Sequence, residues 1–392
     1  MSYARPFPDL TARRGLRAFL PALLAGVILL VGLTGCGDTD YRPLATGPEG
    51  QVTVVMDSTR WNGTVGEAVR ANIAPYLSTL PAPERAFDLK QISLTSERVF
   101  DNVKTQKNVV FIAPLSDSTR EASFMRTRLS REAEEAVRSG QTAVVAKPDL
   151  WRRQQRIFFV TAASPQGIID ALQSEGRRIR DSFHDITLVR MQDEMFEKER
   201  QRALEDSLLQ QHGFAVNIQH DYQIAIDTTS ADRGFVWLRR ILSDTRRGLF
   251  VYYEENADPS QLSPEWVYAT RDSLTKRYLQ GNVGGFVKID YRRPLNTRNR
   301  DFLGRYAFMT RGLWYMVGEN ENGELFQYGG GGPFVNYAFY DQEQDRVYMI
   351  DGMVFAPGYD KRSFLRQMEV IAQTFRTRTG SASQQTVAAR SE

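Results

Sequence analysis

Apolar positions along this chain follow three successive patterns. From Ala18 to Leu33 they form one uncharged run of Leu, Val, Ile, Phe and Ala, entered through Arg13, Arg14 and Arg17. Between about 50 and 160, short β-branched runs alternate with longer charged stretches. Beyond Gly213, apolar and polar residues alternate with a period near two. The second pattern is that of buried strands between helices, and the third that of a sheet whose strands have two different faces.

Read element by element, the first half predicts strands at 52–56, 87–94, 108–113, 142–146 and 157–160. Helices fall between them at 65–77 and 117–138. Ser164-Pro165 is a helix start, a capping Ser followed by Pro at the first helical position, and Ile168, Ile169, Leu172, Ile179 and Phe183 recur at helical spacing. The pattern weakens at 184–189, where a strand is expected, and resumes as a charged helix carrying Leu204, Leu208 and Leu209 up to Gly213. The second half predicts strands at 214–218 and 222–226, a hairpin of 235–238 with 248–253, and a helix opened by Ser263-Pro264. Strands follow at 285–291, 304–309, 312–317, 334–340 and 346–355, then an amphipathic helix over 360–375. The fold class is α/β to α+β: an N-terminal α/β layer domain (51–190), a helical connector (191–212) and a C-terminal α+β domain (213–376) whose antiparallel sheet is packed by helices. Residues 36–50, rich in Gly, Pro and polar side chains, read as a flexible tether, and the Ser- and Gln-rich 377–392 as a disordered tail.

The first apolar run, about sixteen residues long, is short for a membrane span, which needs roughly twenty. With its basic entry and small-residue end it reads as a signal peptide over 1–35; an uncleaved membrane anchor is the alternative, and Arg13-Arg14 matches a twin-arginine signal only loosely. The run ends in Leu33-Thr34-Gly35-Cys36, which resembles the lipobox of bacterial lipoproteins. That resemblance implies processing at Leu33, Thr34 and Gly35, acylation of Cys36, and a membrane partner reached through the acylated cysteine. The expected location is the cell envelope, lipid-anchored, at the outer membrane on its periplasmic or surface face. Cys36 is the only cysteine in the chain, which suits an exported protein, since stray thiols are a liability in an oxidising compartment.

Charge changes the picture once. The formal net charge is +3, and residues 1–35 hold four Arg against the single acid Asp9, so the remainder is neutral. A neutral body lacks the clustered basic surface that nucleic acid requires, and no nucleic-acid partner is expected.

Candidate chemistry is sparse. The three histidines, His184, His212 and His220, show no metal-ligand spacing, and no Gly-x-Ser-x-Gly elbow occurs; neither metal nor cofactor is expected. Gly329-Gly330-Gly331-Gly332-Pro333 lacks the Lys-Ser/Thr of a phosphate loop and reads as a flexible hairpin. Around it cluster aromatic residues, of which alternation would bury about half. Trp314, Tyr328, Gly332 and Tyr337 are the candidates for an exposed face that holds a sugar ring or a partner chain. Asp57, Asp88 and Asp117 lie beside predicted strand ends, where α/β folds place ligands, although loop aspartates also serve as helix caps.

Val54-Val55-Met56-Asp57, Phe235-Val236-Trp237-Leu238-Arg239, Arg311-Gly312-Leu313-Trp314, Gly332-Pro333-Phe334-Val335-Asn336-Tyr337 and Asp351-Gly352-Met353-Val354-Phe355-Ala356-Pro357-Gly358 with Lys361-Arg362 together resemble the lipoprotein family described as domain of unknown function 4837, of Bacteroidetes-type bacteria. The resemblance runs from about 52 to 375 and implies no activity. The order of elements in the second half is also similar to the small sandwich domains of PsbP-like or Mog1-like type. The expected role is a lipid-anchored envelope protein of binding, scaffolding or assembly function, with an envelope protein or glycan as partner. The alternative is a hydrolase of envelope glycan, peptide or ester.

Overall fold

The computed structural model describes residues 40–281 and 285–378. The segments expected as signal peptide (1–35) and disordered tail, with Leu33–Cys36, lie outside the described residues, apart from Thr377 and Arg378. From Leu44 onward the described chain belongs to one compact unit, built around two sheets.

The first sheet has the order β2-β1-β3-β5-β4, with β1 (Gln51–Val55), β2 (Asp88–Ile92), β3 (Asn108–Ile112) and β5 (Arg156–Val160) parallel and β4 (Val144–Pro148) antiparallel at the edge. Its central strands read as unbroken apolar runs because both faces are covered. Val52, Val54, Val110 and Phe158 face α2 (Thr64–Asn72) and α6 (Pro165–Phe196), whereas Val55, Val109 and Phe111 face α3 (Glu97–Lys104), α4 (Arg120–Arg128) and α5 (Arg131–Arg138). A short α1 (Ser58–Asn62) precedes α2.

Three expectations here give way to local chemistry. The helix foreseen over 117–138 is two, because Leu129 is extended and Ser130 caps a new start by accepting from the Ala133 N–H. The strand foreseen at 184–189 is the middle of α6. Buried Thr187 and Arg190 interrupt its apolar stripe in sequence but not in space: the Thr187 hydroxyl donates to the Phe183 carbonyl, and Arg190 is held by Glu49 and Asn108. Residues 44–50, expected as tether, are docked instead. Leu44 and Thr46 make bridges to Arg153 and Gln106, and Glu49 pairs with Lys107 and Arg190.

The second sheet is antiparallel, in the order β10-β12-β13-β14-β9-β8-β7, with β11 beside β10 on the same edge of β12. Its strands are β7 (Gln223–Thr229), β8 (Arg233–Ile241), β9 (Arg246–Glu255), β10 (Phe286–Ile289), β11 (Asn296–Phe302), β12 (Arg305–Glu319), β13 (Leu325–Asp341) and β14 (Arg346–Phe355). The two strands foreseen at 304–309 and 312–317 are one. Polar β11 escapes the pattern because it lies on an edge. Phe214–Ile218 does not join this sheet; only β6 (Phe214–Ala215) pairs, with β15 (Arg376–Thr377). On one face lie α7 (Arg202–His212) and α9 (Arg362–Gln373), over Val251, Tyr337 and Ile350. On the other lies α8 (Pro264–Tyr278), over Phe250, Phe334 and Met349.

α6 and α9 tie the two sheets together. At about 48 Å, α6 packs its first half on the first sheet and its second half, through Leu188 and Met191, on Val370 of α9. The N-terminus of α9 is capped from outside its own neighbourhood. Glu84, just before β2, accepts hydrogen bonds from the backbone N–H groups of Lys361 at 2.8 Å and Arg362 at 2.9 Å, which places a carboxylate on the positive end of the helix.

Candidate functional site

Helix α8 is too short for the sheet it covers. Fifteen residues of helix span about 22 Å, whereas the fifteen of β12 and seventeen of β13 span more than about 50 Å. Past Tyr278 the sheet face is left open, and a cavity of about 380 Å³ lies there, within the size range of ligand pockets. Its walls are Trp237 of β8, Trp314 of β12, Tyr328 of β13 and Phe355 of β14, with Met316 and Leu279 between them.

Glycines give these rings their room. Trp314 stands directly opposite Gly332 in the β12–β13 ladder, and Arg239 opposite Gly248 in the β8–β9 ladder. A Cβ on Gly248 would come within 2.7 Å of the Trp237 Nε1, and one on Gly330 within 2.1 Å of the Phe355 ring. Gly281 and Gly285 leave space for Tyr328, whose hydroxyl accepts from the Gly285 N–H at 3.1 Å. The glycine run is therefore strand, not the flexible hairpin expected. The turn is earlier, at Asn320–Glu324, where the Asn320 Oδ1 accepts from the N–H groups of Asn322 and Glu324.

Polar groups in the cavity are few. The indole N–H groups of Trp237 and Trp314 are both buried with no acceptor among the described residues, although Trp314 is only 8% exposed. Each indole nitrogen lies over a glycine of the neighbouring strand, Trp237 over Gly248 and Trp314 over Gly332, so neither N–H opens to the cavity. At the rim the guanidinium of Arg239 lies 5.7 Å from the Trp237 ring and that of Arg246 6.0 Å from the Phe355 ring. Neither forms an ion pair among the described residues. Arg240 is tied to Asp221, and Arg247 turns to the opposite face, against Gln367 and Phe364.

Of the sequence candidates, Trp314 and Tyr328 line this cavity. Gly332 is beneath it, with room for no side chain, since a Cβ would meet the Val354 carbonyl oxygen at 2.0 Å. Tyr337 is not a surface residue. An odd number of positions from Gly332, it faces the other side of the strand, 1% exposed and stacked on Phe302 at 4.4 Å. Trp237 and Phe355 stand in the motifs quoted above but not among the sequence's site candidates. The glycines whose space their rings occupy, Gly248 and Gly330, lie on neighbouring strands, and register is needed to see it.

The three aspartates are engaged elsewhere. Asp57 caps α1 by accepting from the Thr59 and Arg60 N–H groups. Arg60 forms a two-point ion pair with Asp117 at 2.7 and 2.9 Å, spanning the crevice at the carboxyl ends of β1 and β3 where such a sheet reverses its order. Asp88 pairs with Arg362. Among the described residues no three acids, histidines or cysteines are grouped to hold a metal ion.

No curated protein matches the chain. Residues 45–196 match the family model described as domain of unknown function (DUF8532), so the Val54–Asp57 motif belongs to that match and the resemblance expected from 52 to 375 is narrower than the sequence reading made it. Residues 201–374, the second sheet with α7, α8 and α9, match the family model described as domain of unknown function (DUF4837).

Proposed function

We propose that this protein is a lipid-anchored binding protein of the cell envelope, held by acylated Cys36, whose aromatic cavity takes a sugar ring bearing acceptor oxygens and negative charge. The observation that carries the ligand class is the lining of one cavity by four aromatic side chains, Trp237, Trp314, Tyr328 and Phe355, rimmed by Arg239 and Arg246. Flat aromatic faces receive the C–H face of a pyranose, and guanidiniums receive a carboxylate. Binding rather than hydrolysis is favoured because Asp57, Asp88 and Asp117 are consumed by a cap and two ion pairs.

The experiment is a tryptophan-fluorescence titration of the purified full chain with uronic-acid oligosaccharides and with neutral ones. A saturable change with the acidic set is expected. It should weaken about tenfold in Arg239→Gln, which removes an exposed rim guanidinium from the ligand's carboxylate, with thermal unfolding unchanged. No saturable change with the acidic set overturns the ligand class. Cleavage of the oligosaccharide would move the reading to the hydrolase.

A further inference from the structure

A second cavity, of about 210 Å³, opens between the two sheets, and its chemistry is the reverse of the first. Five guanidiniums line it: Arg180 from α6, Arg298 from β11, Arg311 from β12, and Arg362 and Arg366 from α9. Against them stand Asp181 and Glu369 on the wall and Asp88, which pairs with Arg362. Two positive charges are left in excess. His184, also on the wall, is neutral, because burial pushes its pKa down and the nearby Arg311 and Arg366 add to the effect against the pull of Glu369.

Some of these arginines have structural work. Arg366 donates to the Ala86 carbonyl at 2.8 Å over the Phe87 ring, and Arg362 holds Asp88. The other three are poorly satisfied. Among the described residues Arg180 reaches only the Asn72 carbonyl, at 3.4 Å. Arg298 comes no closer than 4.0 Å to Asp181 and 3.9 Å to the Met309 sulfur. Arg311 donates through Nη2 to Glu369 at 2.7 Å, while its Nε–H is buried with no acceptor among the described residues. Burial pushes the pKa of Arg180, Arg298 and Arg366 down, that of Arg366 to about 10, yet all remain charged at neutral pH. Like charges gathered in a half-enclosed space repel one another and strain against desolvation unless an anion joins them.

We propose that this cavity is a binding site for a phosphoryl dianion. A carboxylate presents two oxygens in one plane and is matched by one guanidinium fork. Guanidiniums arriving from four separate elements suit a tetrahedral group with several outward oxygens, and an excess of two positive charges suits a group that carries about two negative ones at pH 7. The group can come from a soluble phosphate monoester or from the headgroup of a phospholipid.

Isothermal titration of the full chain with inorganic phosphate, glycerol 3-phosphate and malonate, with co-sedimentation on phosphatidic acid and phosphatidylcholine vesicles, tests this. Saturable binding of the phosphates, at least tenfold tighter than malonate, is expected. In Arg180→Gln/Arg298→Gln it should weaken at least tenfold while the melting temperature of the anion-free chain stays the same or rises, since repulsion is relieved. Retention on phosphatidic acid in excess of that on phosphatidylcholine, which the acyl anchor alone provides, and lost in the double variant, assigns the headgroup as source. Binding of the soluble esters with equal retention on the two vesicles assigns a soluble one. Absence of phosphate binding in every arm, malonate binding as tightly as phosphate, or a double variant that binds as well as the parent, overturns the proposal.

Discussion

Arg271 of α8 and Asp351 of β14 form a two-point ion pair, Nε to Oδ2 at 2.8 Å and Nη2 to Oδ1 at 3.2 Å, in which neither side chain has any solvent exposure. Asn336 donates to the same carboxylate at 3.0 Å, and the guanidinium lies 3.8 Å over the Phe334 ring. The Asn336 and Asp351 of the sequence motifs are thus a buried polar clamp that fixes α8 on the sheet and sets where its coverage stops. Removing one partner leaves an uncompensated buried charge, so Asp351→Leu is expected to cost about 3–5 kcal/mol. Replacing both, as Arg271→Met/Asp351→Leu, should recover most of that loss. Urea unfolding of the three proteins measures it. Equal stability of the single and double variants would contradict the account.

Glu84 caps a helix that begins 278 positions later. Glu84→Ala is expected to lower stability by about 1–2 kcal/mol, through loss of two hydrogen bonds and of a negative charge at the helix start. Because the contact joins the two sheets, amide exchange in the first turn of α9 should rise with it. Exchange there that does not change would mean that Glu84 is dispensable.

Acidification should act through His184 and Glu369. The Glu369 carboxyl is opposed by burial but held well below the usual range by Arg311, His184 and Arg366, so it is ionised, and the 2.8 Å contact is the His184 Nε2–H donating to its Oε2. Both folded-state pKa values lie below the ordinary 6.5 and 4.5. The unfolded chain therefore takes up protons first as pH falls, and each group contributes stability that is present above its ordinary value and lost below it. Thermal unfolding is expected to weaken below about pH 6.5 and again below about pH 4.5, each proton contributing at most about 1.4 kcal/mol per pH unit. His184→Gln should remove the first phase. A parent with flat stability between pH 7 and 5 would show that His184 is not the neutral buried group described.

Gly248→Ala tests the aromatic cavity from beneath. The added methyl meets the Trp237 indole nitrogen and should tilt the ring, shifting the tryptophan emission and weakening oligosaccharide binding with unfolding little altered. An unshifted spectrum with unchanged binding would place the ligand elsewhere.

Cys36→Ser is expected to leave an unprocessed precursor without fatty acid, read by mass spectrometry of membrane fractions. An acylated mature form in that variant would remove the anchor from the proposal.

Local pattern made much of this fold legible. The β-branched runs at 52–56 and 108–113 are strands because buried parallel strands need apolar residues on both faces, and Ser164-Pro165 and Ser263-Pro264 start helices because a capping hydroxyl followed by a fixed φ favours that start. The misreadings lie where a side chain's partner is remote. Thr187 and Arg190 look like a break in α6 until Glu49 and Asn108 are beside them. Gly329–Gly332 looks like a loop until the Phe355 and Trp314 rings occupy the space above it. Residues 44–50 look like tether until Lys107 and Arg190 meet Glu49.

The sequence by itself determined most element types, the alternation along each strand of the second sheet, and the neutral balance of the chain after residue 35. These depend on neighbours a few positions apart. Only the tertiary structure decided that two indole rings from β8 and β12 share one cavity, and that five arginines spread over nearly 190 positions converge on another. Such sites are made by strand register and helix length, which arise when distant segments bury their apolar faces against each other, and one-dimensional spacing does not carry that information.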